Sequence, residues 1–371
     1  MKYREQELLF KLTEADTNKE DIKCLLEENI DYPWLLGQIL FNRLGGVVYS
    51  KLVKCEFLGK VNREFRNSLK YIFQMQKLKT ESFLRGLNEI STIFSSATFQ
   101  YAFLKGSFLN SQLYEVGQRT SNDYDILVSQ RDLDSVHELL SENGFVQGKY
   151  DFNSMELMKV SRSDIISARM NRGETIPYFK KTNDPHIEYI EIDVNFSLDY
   201  KAQGIGDNVE MMLRNAIQFE TDKQPLYTLE KNDFLIHLCL HLYKEATVYN
   251  WVKMQRDLSL YKFLDIVRFY KHYKQDSEFV KSLIDKIRYY GVQKECYYTF
   301  YNTAILYPDI LESDNYKMLL LEIKPMSKDY LKQIVYPEQN KVFCYDMDFR
   351  KWFFTYDRIE HLMPIENTIL E

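Results

Sequence analysis

The sequence has few of the residues that break or cross-link a chain. Its 371 residues include 13 Gly, 8 Pro and 5 Cys, against 28 Tyr and 24 Phe. So little Gly and Pro argues against a turn-rich β architecture, and so many aromatic residues favour packed helices. The cysteines are odd in number and far apart, with no Cys-x-x-Cys pair. They indicate free thiols in a reducing compartment rather than a disulfide framework or a zinc ribbon.

Two further features are missing, a membrane-spanning run and an excess of positive charge. No run of about 18 apolar residues is present to span a bilayer, and the N-terminal segment Met1-Lys-Tyr-Arg-Glu-Gln-Glu7 lacks the apolar core of a signal peptide. We therefore expect a cytoplasmic protein with no membrane partner. The net charge of -6 argues against a dedicated nucleic-acid-binding protein, because such proteins neutralise phosphates with Lys and Arg. A local basic cleft is still compatible with this balance.

Hydrophobic periodicity divides the chain into three parts. Residues 1–90 show apolar and charged positions at helical spacing. The middle part predicts three strands, Tyr101–Leu104, Tyr124–Val128 and Ile187–Leu198, and two helices, one that follows Ser107 and ends near Tyr114 and one over Leu133–Leu140. The last part predicts four helices, over 208–219, 231–244, 258–273 and 277–290. We therefore expect an α+β fold, in which a helical segment (1–90) precedes a small mixed-sheet core (91–200) and a C-terminal helical domain (201–371) follows it. Residues 340–371 have no assigned role.

Acidic residues occur at alternating positions in two of the predicted strands. In Ser121-Asn-Asp-Tyr-Asp-Ile-Leu-Val128, Asp123 and Asp125 share one face of the strand because successive side chains point to opposite faces. In Ile190-Glu-Ile-Asp-Val-Asn-Phe-Ser197, Asp193 lies on a polar face, opposite a row of apolar residues. If the two strands are neighbours, the three carboxylates converge. The alternative is a pair of solvated strand faces.

Three clustered carboxylates require protonation or a cation. At about 4 Å and an effective dielectric constant near 20, each like-charged pair costs on the order of 4 kcal/mol. Oxygen ligands alone suit Mg2+, which binds one or two carboxylates together with substrate phosphates. We therefore predict a magnesium site, with two ions, formed by Asp123, Asp125 and Asp193.

A second candidate feature is the segment Lys105-Gly106-Ser107, between a predicted strand and a predicted helix. Glycine lets the backbone approach a ligand closely, and the start of the following helix offers free N–H groups to a phosphate. Ser107 adds a hydroxyl donor, and Lys105 either contacts phosphate or faces solvent. For Gly106 and Ser107 the alternative is a turn with an ordinary N-cap. Together with the acidic strands, this segment predicts a site for a nucleoside triphosphate.

The order of these features resembles the DNA polymerase β-like nucleotidyltransferase superfamily, whose signature is Gly-Gly or Gly-Ser, a spacer, and then Asp-x-Asp or Asp-x-Glu. More narrowly, four segments are similar to the bacterial family labelled uncharacterised nucleotidyltransferase: Phe103-Leu-Lys-Gly-Ser107, Leu113-Tyr114, Arg119 and Asn122-Asp-Tyr-Asp-Ile-Leu-Val128. The similarity covers about residues 100–270.

The resemblance implies a metal-dependent enzyme that transfers a nucleoside monophosphate from a nucleoside triphosphate to an acceptor hydroxyl and releases pyrophosphate. Asp123 and Asp125 would hold Mg2+, and Asp193 would bind the catalytic ion and help to deprotonate the acceptor. The nucleotide would lie between the core and the C-terminal helices. Three hypotheses remain for its action. They are modification of a small molecule, which the acidic charge favours, toxin-like modification of a protein or tRNA, and nucleotide binding without catalysis.

Four residues outside the acidic strands and the Gly-Ser turn are further candidates. Arg119 either binds triphosphate oxygens bidentately or pairs with a neighbouring carboxylate. The resemblance implies that Lys262, on the helical half, contacts the nucleotide phosphates. His237 and His241 are one helical turn apart, a spacing compatible with a metal site. The apolar residues around the two histidines favour instead buried, hydrogen-bonded side chains.

Overall fold

The computed structural model describes residues 2–14, 16, 18–151, 153–171, 173–198, 206–276 and 278–365. The chain forms two compact units, Met1–Phe234 and Leu235–Glu371. Within the described ranges, no helix combines the length and the apolar character that crossing a membrane requires.

Helices make up most of the fold, and the strands form two sheets. The helices of the described residues are, in chain order, α1 (Tyr3–Thr13), α2 (Lys19–Leu26), α3 (Tyr32–Phe41), α4 (Gly45–Lys54), α5 (Arg63–Phe94), α6 (Gly106–Gln112), α7 (Leu133–Glu142), α8 (Arg162–Asn171), α9 (Gly206–Arg214), α10 (Lys231–Thr247), α11 (Tyr249–Lys253), α12 (Leu260–Tyr273), α13 (Phe279–Tyr290), α14 (Gln293–Leu306), α15 (Asp314–Glu322) and α16 (Phe349–Phe354). The strands are β1 (Tyr101–Phe103), β2 (Tyr124–Val128), β3 (Val146–Asp151), β4 (Glu156–Lys159), β5 (Tyr178–Lys181), β6 (Tyr189–Asn195), β7 (Ile217–Phe219), β8 (Leu226–Thr228), β9 (Gln333–Tyr336), β10 (Lys341–Cys344) and β11 (Met363–Pro364).

The first unit is built on one mixed sheet with the strand order β4-β3-β5-β6-β2-β1-β8-β7. Strand β2 runs parallel to β6, and β1 runs parallel to β8, whereas the other neighbouring strands are antiparallel. Helices α1–α5 precede this sheet along the chain, and helices again dominate after β8. The fold is therefore α+β with a mixed-sheet core, as the sequence predicts.

Helix α5 fixes the position of β2 by packing against the side of the strand that Tyr124 occupies. The helix begins after Asn62, whose side-chain oxygen caps it by accepting hydrogen bonds from the backbone N–H groups of Glu64 and Phe65 in the first turn. The rings of Phe83 and Tyr124 stack with centroids 4.2 Å apart, and the Tyr124 hydroxyl donates to the Phe83 carbonyl at 2.7 Å. A Cβ at Gly86 would collide with the Tyr124 hydroxyl. Glycine is therefore required where helix and strand approach each other.

The sequence predicts some elements of the sheet and misses others. Strand β2 has the predicted bounds, and β1 and β6 lie inside their predicted ranges, whereas β3, β4 and β5 are not predicted. The helix predicted over 208–219 is wrong at its end, because α9 stops at Arg214 and residues 217–219 pair with β8 as strand β7. The predicted helix start at Ser277 lies outside the described residues, and α13 begins at Phe279. The domain division at residues 90 and 200 stays a prediction.

The second unit contains a three-stranded antiparallel sheet, in the order β11-β10-β9, and a buried ion pair. Arg358 donates from Nη2 to Asp257 Oδ1 at 2.6 Å and from Nε to Oδ2 at 2.9 Å. Both side chains are almost completely buried. A contact through two hydrogen bonds fixes the relative orientation of the two side chains and also strengthens their interaction. Arg358 therefore anchors the described part of the C-terminal stretch, for which the sequence predicts no role.

Candidate metal centre

Two neighbouring strands of the first unit bring three acidic side chains together. Asp125 of β2 lies directly opposite Asp193 of β6 in the parallel pair, and Asp123 lies two residues before Asp125, on the same face. One carboxylate oxygen from each of the three residues lies within 4.8 Å of the other two. The sequence analysis could only assume that these two strands are neighbours, and the structure shows that β2 and β6 do pair.

The surroundings of these carboxylates disfavour negative charge. Asp125 is buried, and Asp123 and Asp193 are half-buried. Burial, followed by the charge of Asp125, raises the pKa of Asp123, although Lys105 partly offsets this. Burial, followed by the charges of Asp123 and Asp125, raises the pKa of Asp193 well above its usual range. Without a bound cation the cluster therefore stores unfavourable electrostatic free energy.

The cluster also contains an oxygen without a partner. Asp193 Oδ1 is inaccessible to solvent and has no hydrogen-bond donor among the described residues. A buried carboxylate oxygen left in this way is costly, since it has lost its contacts with water without replacing them. Carboxylate oxygens are the ligands that hard divalent cations prefer. The donor set of Asp123, Asp125 and Asp193 therefore fits Mg2+.

Lys105 faces the carboxylates rather than solvent. Its Nζ lies 2.7 Å from Asp125 Oδ1, and only 22% of its side chain is exposed. Burial alone would lower the pKa of Lys105, but the charges of Asp125 and Asp123 outweigh burial and raise it. The lysine is therefore charged and paired with Asp125.

Gly106 is the first residue of α6 and follows Lys105 directly. Its lack of a side chain allows Ser121 and Arg119 to lie close to its backbone. A Cβ at this position would overlap the Ser121 hydroxyl and would lie 3.2 Å from Arg119 Nη1. Ser107, the next residue, is completely buried, and its Oγ has no hydrogen-bond partner among the described residues. The segment thus presents a buried hydroxyl beside a tightly packed turn.

Arg119 lies in the turn that leads into β2. Its Nη1 donates to Ser121 Oγ at 2.6 Å, and Asn110 Nδ2 donates to the same oxygen at 3.1 Å. The backbone carbonyl of Arg119 accepts a hydrogen bond of 3.0 Å from Thr80 Oγ1 on α5. The charge of Arg119 also lowers the pKa of Asp123, against the effect of burial. Arg119 is therefore held beside the acidic cluster at both its backbone and its side chain.

Two polar residues of this region, Glu191 beside the carboxylates and Asn110 beside Ser121, are not predicted as site residues from the sequence. Burial, followed by the charges of Asp123 and Asp125, raises the pKa of Glu191 to about 7. The strand alternation places Glu191 on the same face as Asp193, so the signal was present in the sequence. Asn110 is buried on α6, three residues after Ser107. This spacing places the two side chains on the same side of the helix, but the sequence suggests that only if the helix is already known.

Lys262, His237 and His241 belong to the second unit. Lys262 forms an ion pair with Glu245. His241 Nε2 lies 3.4 Å from Glu245 Oε1, and the rings of the two histidines stack with centroids 6.3 Å apart. In the described part of the chain, only the acidic cluster gathers three or more possible metal ligands this closely. The nucleotide contact of Lys262 stays a prediction.

Similarity to known proteins extends well beyond the acidic cluster. A solved antigenic nucleotidyltransferase-like protein from Paracoccidioides brasiliensis matches at 14% identity and a TM-score of 0.31, over 57% of this chain and 88% of that chain. No curated protein shows significant similarity to the chain. A family model described as "Uncharacterised nucleotidyltransferase" matches residues 28–308, which is more than half of the 371 residues. The chain therefore belongs to the uncharacterised nucleotidyltransferase family, the one that its motifs resemble.

Proposed function

We propose that the protein is a Mg2+-dependent nucleotidyltransferase. It transfers a nucleoside monophosphate from a nucleoside triphosphate to an acceptor hydroxyl and releases pyrophosphate. One observation carries this proposal, the convergence of oxygens from Asp123, Asp125 and Asp193 within 4.8 Å of one another. The family assignment supports it, and the unpartnered Asp193 oxygen supports the metal requirement.

The three carboxylates divide the work between metal binding and proton transfer. Asp123 and Asp125 would hold the ions, two in number, and Asp193 would be the third ligand. The chemistry that magnesium would supply there is neutralisation of the charge on the triphosphate and on the departing pyrophosphate. The acceptor oxygen forms a bond to the α-phosphorus while the bond to the bridging oxygen breaks, and pyrophosphate leaves with that electron pair. Asp193 accepts the proton of the acceptor hydroxyl.

The triphosphate is bound by the residues that precede β2. Ser107 donates its buried hydroxyl, which has no partner within the described ranges, to a phosphate oxygen. Gly106 allows Arg119 and Ser121 to lie close to α6. Arg119 directs its guanidinium, whose charge acts on Asp123, to the phosphates.

The acceptor is a small molecule. A macromolecular acceptor such as tRNA requires a surface rich in Lys and Arg, and the net charge of this chain is -6. Incubation of the protein with radiolabelled nucleoside triphosphates, Mg2+ and a cell extract tests this point. We expect a labelled product of low molecular mass, whereas label on protein or tRNA would contradict the choice of acceptor.

The same assay tests the chemistry. The double variant Asp123→Asn with Asp125→Asn should release no pyrophosphate while keeping the fold, since the amides cannot supply the negative charge that the ions require. Asp184→Asn is the matched control, because Asp184 is an acidic residue of the same unit that pairs with Arg85 and not with the cluster. Turnover that survives in the double variant would contradict the proposed mechanism.

A further inference from the structure

The acidic cluster contains a positive charge of its own. The Lys105 ammonium lies 2.7 Å from Asp125 Oδ1, and Asp125 is 5% exposed. The charges of Asp123 and Asp193 also act on this lysine. Three carboxylates thus share one internal cation in the metal-free protein, and the cation is placed nearest to the most buried of them.

The backbone at Lys105 adopts an unfavourable conformation to achieve this placement. Its φ of 42° and ψ of -114° lie in a region that favours glycine and that other residues rarely adopt. Such strain persists only where the surrounding structure determines it, and it is common at functional sites. The chain turns here between β1 and α6, so the strained residue delivers its side chain to β2.

The two facing carboxylates, Asp125 and Asp193, differ in their partners. Asp125 Oδ1 accepts a hydrogen bond from Lys105, whereas Asp193 Oδ1 has no donor within the described ranges. A divalent cation can therefore bind at Asp193 without displacing a partner. To reach Asp125 Oδ1 it must compete with a like-charged ammonium group.

We propose that Lys105 is a resident counter-ion of the acidic cluster, which holds the carboxylates together in the metal-free protein and weakens the binding of a free divalent cation. The inference rests on the metal site of the proposed function but not on nucleotidyl transfer. Because the resident charge opposes a free ion, the cation binds well only when a polyphosphate adds negative charge and further oxygen ligands. Metal and nucleotide therefore bind cooperatively, and Lys105 is the reason.

Lys105→Met removes the charge while keeping a long unbranched side chain. In metal-free buffer its melting temperature should fall below that of the wild type, because the carboxylates lose their counter-ion. In the absence of nucleotide it should bind Mn2+ at least about tenfold more tightly than the wild type, as measured from the electron paramagnetic resonance signal of free Mn2+. Lys105→Arg, which keeps the charge, should retain the wild-type affinity.

Lys180→Met is the matched control. Lys180 forms an ion pair of the same 2.7 Å length with Glu89 in the same unit, so its loss should leave Mn2+ affinity unchanged. If Lys105→Met unfolds, Lys105→Gly takes its place, since glycine removes the charge and also relieves the backbone strain. An Mn2+ affinity that is unchanged or weaker in these charge-free variants would overturn the counter-ion role. A wild type that binds no Mn2+ even with a nucleoside triphosphate would instead overturn the metal site itself.

Discussion

Asp125 and Asp193 are opposite residues on two adjacent parallel strands, and this single pairing assembles the acidic cluster. A strand alternates its faces, so a slip of one residue between β2 and β6 would turn one carboxylate to the other side of the sheet. The register is held by apolar residues on the opposite face, where Ile126 and Val194 are completely buried and opposite each other. Stability of the fold and geometry of the site therefore depend on the same pairing.

Gly106→Ala should destabilise the protein and impair nucleotide binding. The new Cβ would overlap the Ser121 hydroxyl and press on Arg119, and overpacking of this kind costs about 1–3 kcal/mol. Urea unfolding and nucleotide titration measure the two effects. Gly37→Ala in α3 is the control, because no atom lies within 4 Å of its added Cβ. A Gly106→Ala protein as stable as the Gly37→Ala protein would contradict the close approach.

Tyr124→Phe should lower stability without affecting turnover. The lost hydroxyl donates to the Phe83 carbonyl at 2.7 Å, and a buried hydrogen bond of this kind contributes about 0.5–1.5 kcal/mol. The side chain points to the face opposite Asp123 and Asp125, so Mg2+-dependent pyrophosphate release should be unchanged. A Tyr124→Phe protein that keeps wild-type stability but loses turnover would contradict this expectation, because it would show that Tyr124 affects the acidic face of β2.

Ser121→Ala should raise the KM for the nucleoside triphosphate more than it lowers kcat. The Ser121 oxygen accepts hydrogen bonds from Arg119 and Asn110, so its removal takes away one of the contacts that orient the guanidinium. Loss of this buried hydrogen-bond acceptor should also lower the free energy of unfolding, by about 0.5–1.5 kcal/mol for each hydrogen bond removed. Ser95→Ala, at an exposed serine, is the control and should change stability by less than about 0.5 kcal/mol. Equal KM values for Ser121→Ala and the wild type would exclude this role of Ser121.

The metal-free protein should lose stability as the pH rises. Burial and neighbouring carboxylates raise the pKa values of Asp123 and Asp193, and that of Glu191 to about 7. A carboxyl whose pKa is higher in the folded than in the unfolded protein stabilises the fold at low pH, and this contribution is lost as the pH passes the folded pKa. The free energy of unfolding should therefore fall from about pH 5 to pH 8 in EDTA, and Mg2+ together with a non-hydrolysable nucleoside triphosphate analogue should reduce the loss.

Urea unfolding at each pH, in EDTA and in Mg2+ with the nucleotide analogue, measures this dependence. Asp193→Asn should flatten the curve in EDTA, since it removes one of the carboxyl groups that must ionise. A curve that rises over the same range in EDTA would contradict the raised pKa values, and one that Mg2+ with the nucleotide analogue leaves unchanged would show that the cluster does not hold a divalent cation.

The acidic face could be predicted from the sequence because it depends only on the two-residue period of a strand. Asp123 and Asp125 fall on one face of any strand that contains them both, and the apolar alternation around Asp193 fixes its face as well. That β2 and β6 are neighbours could not be derived in this way. Two strands separated by β3, β4 and β5 along the chain pair through tertiary contacts that no local pattern records.

The features that the sequence did not predict also depend on tertiary contacts. Residues 217–219 continue the amphipathic pattern of α9, and only their pairing with β8 makes them a strand. For Lys105, alternation left the direction of the side chain open. The left-handed backbone at the end of β1 turns it toward Asp125, and a lysine gives no sign of such a conformation.

Anomalous scattering from crystals grown with Mn2+ and a non-hydrolysable nucleoside triphosphate analogue locates the metal that Asp123, Asp125 and Asp193 are proposed to bind. We expect manganese peaks for two ions among Asp123, Asp125 and Asp193, at about 2.1 Å from their carboxylate oxygens, with phosphate oxygens of the analogue completing the coordination. A bound analogue with no manganese among these three residues, or with manganese held by other side chains, would contradict the proposed metal site.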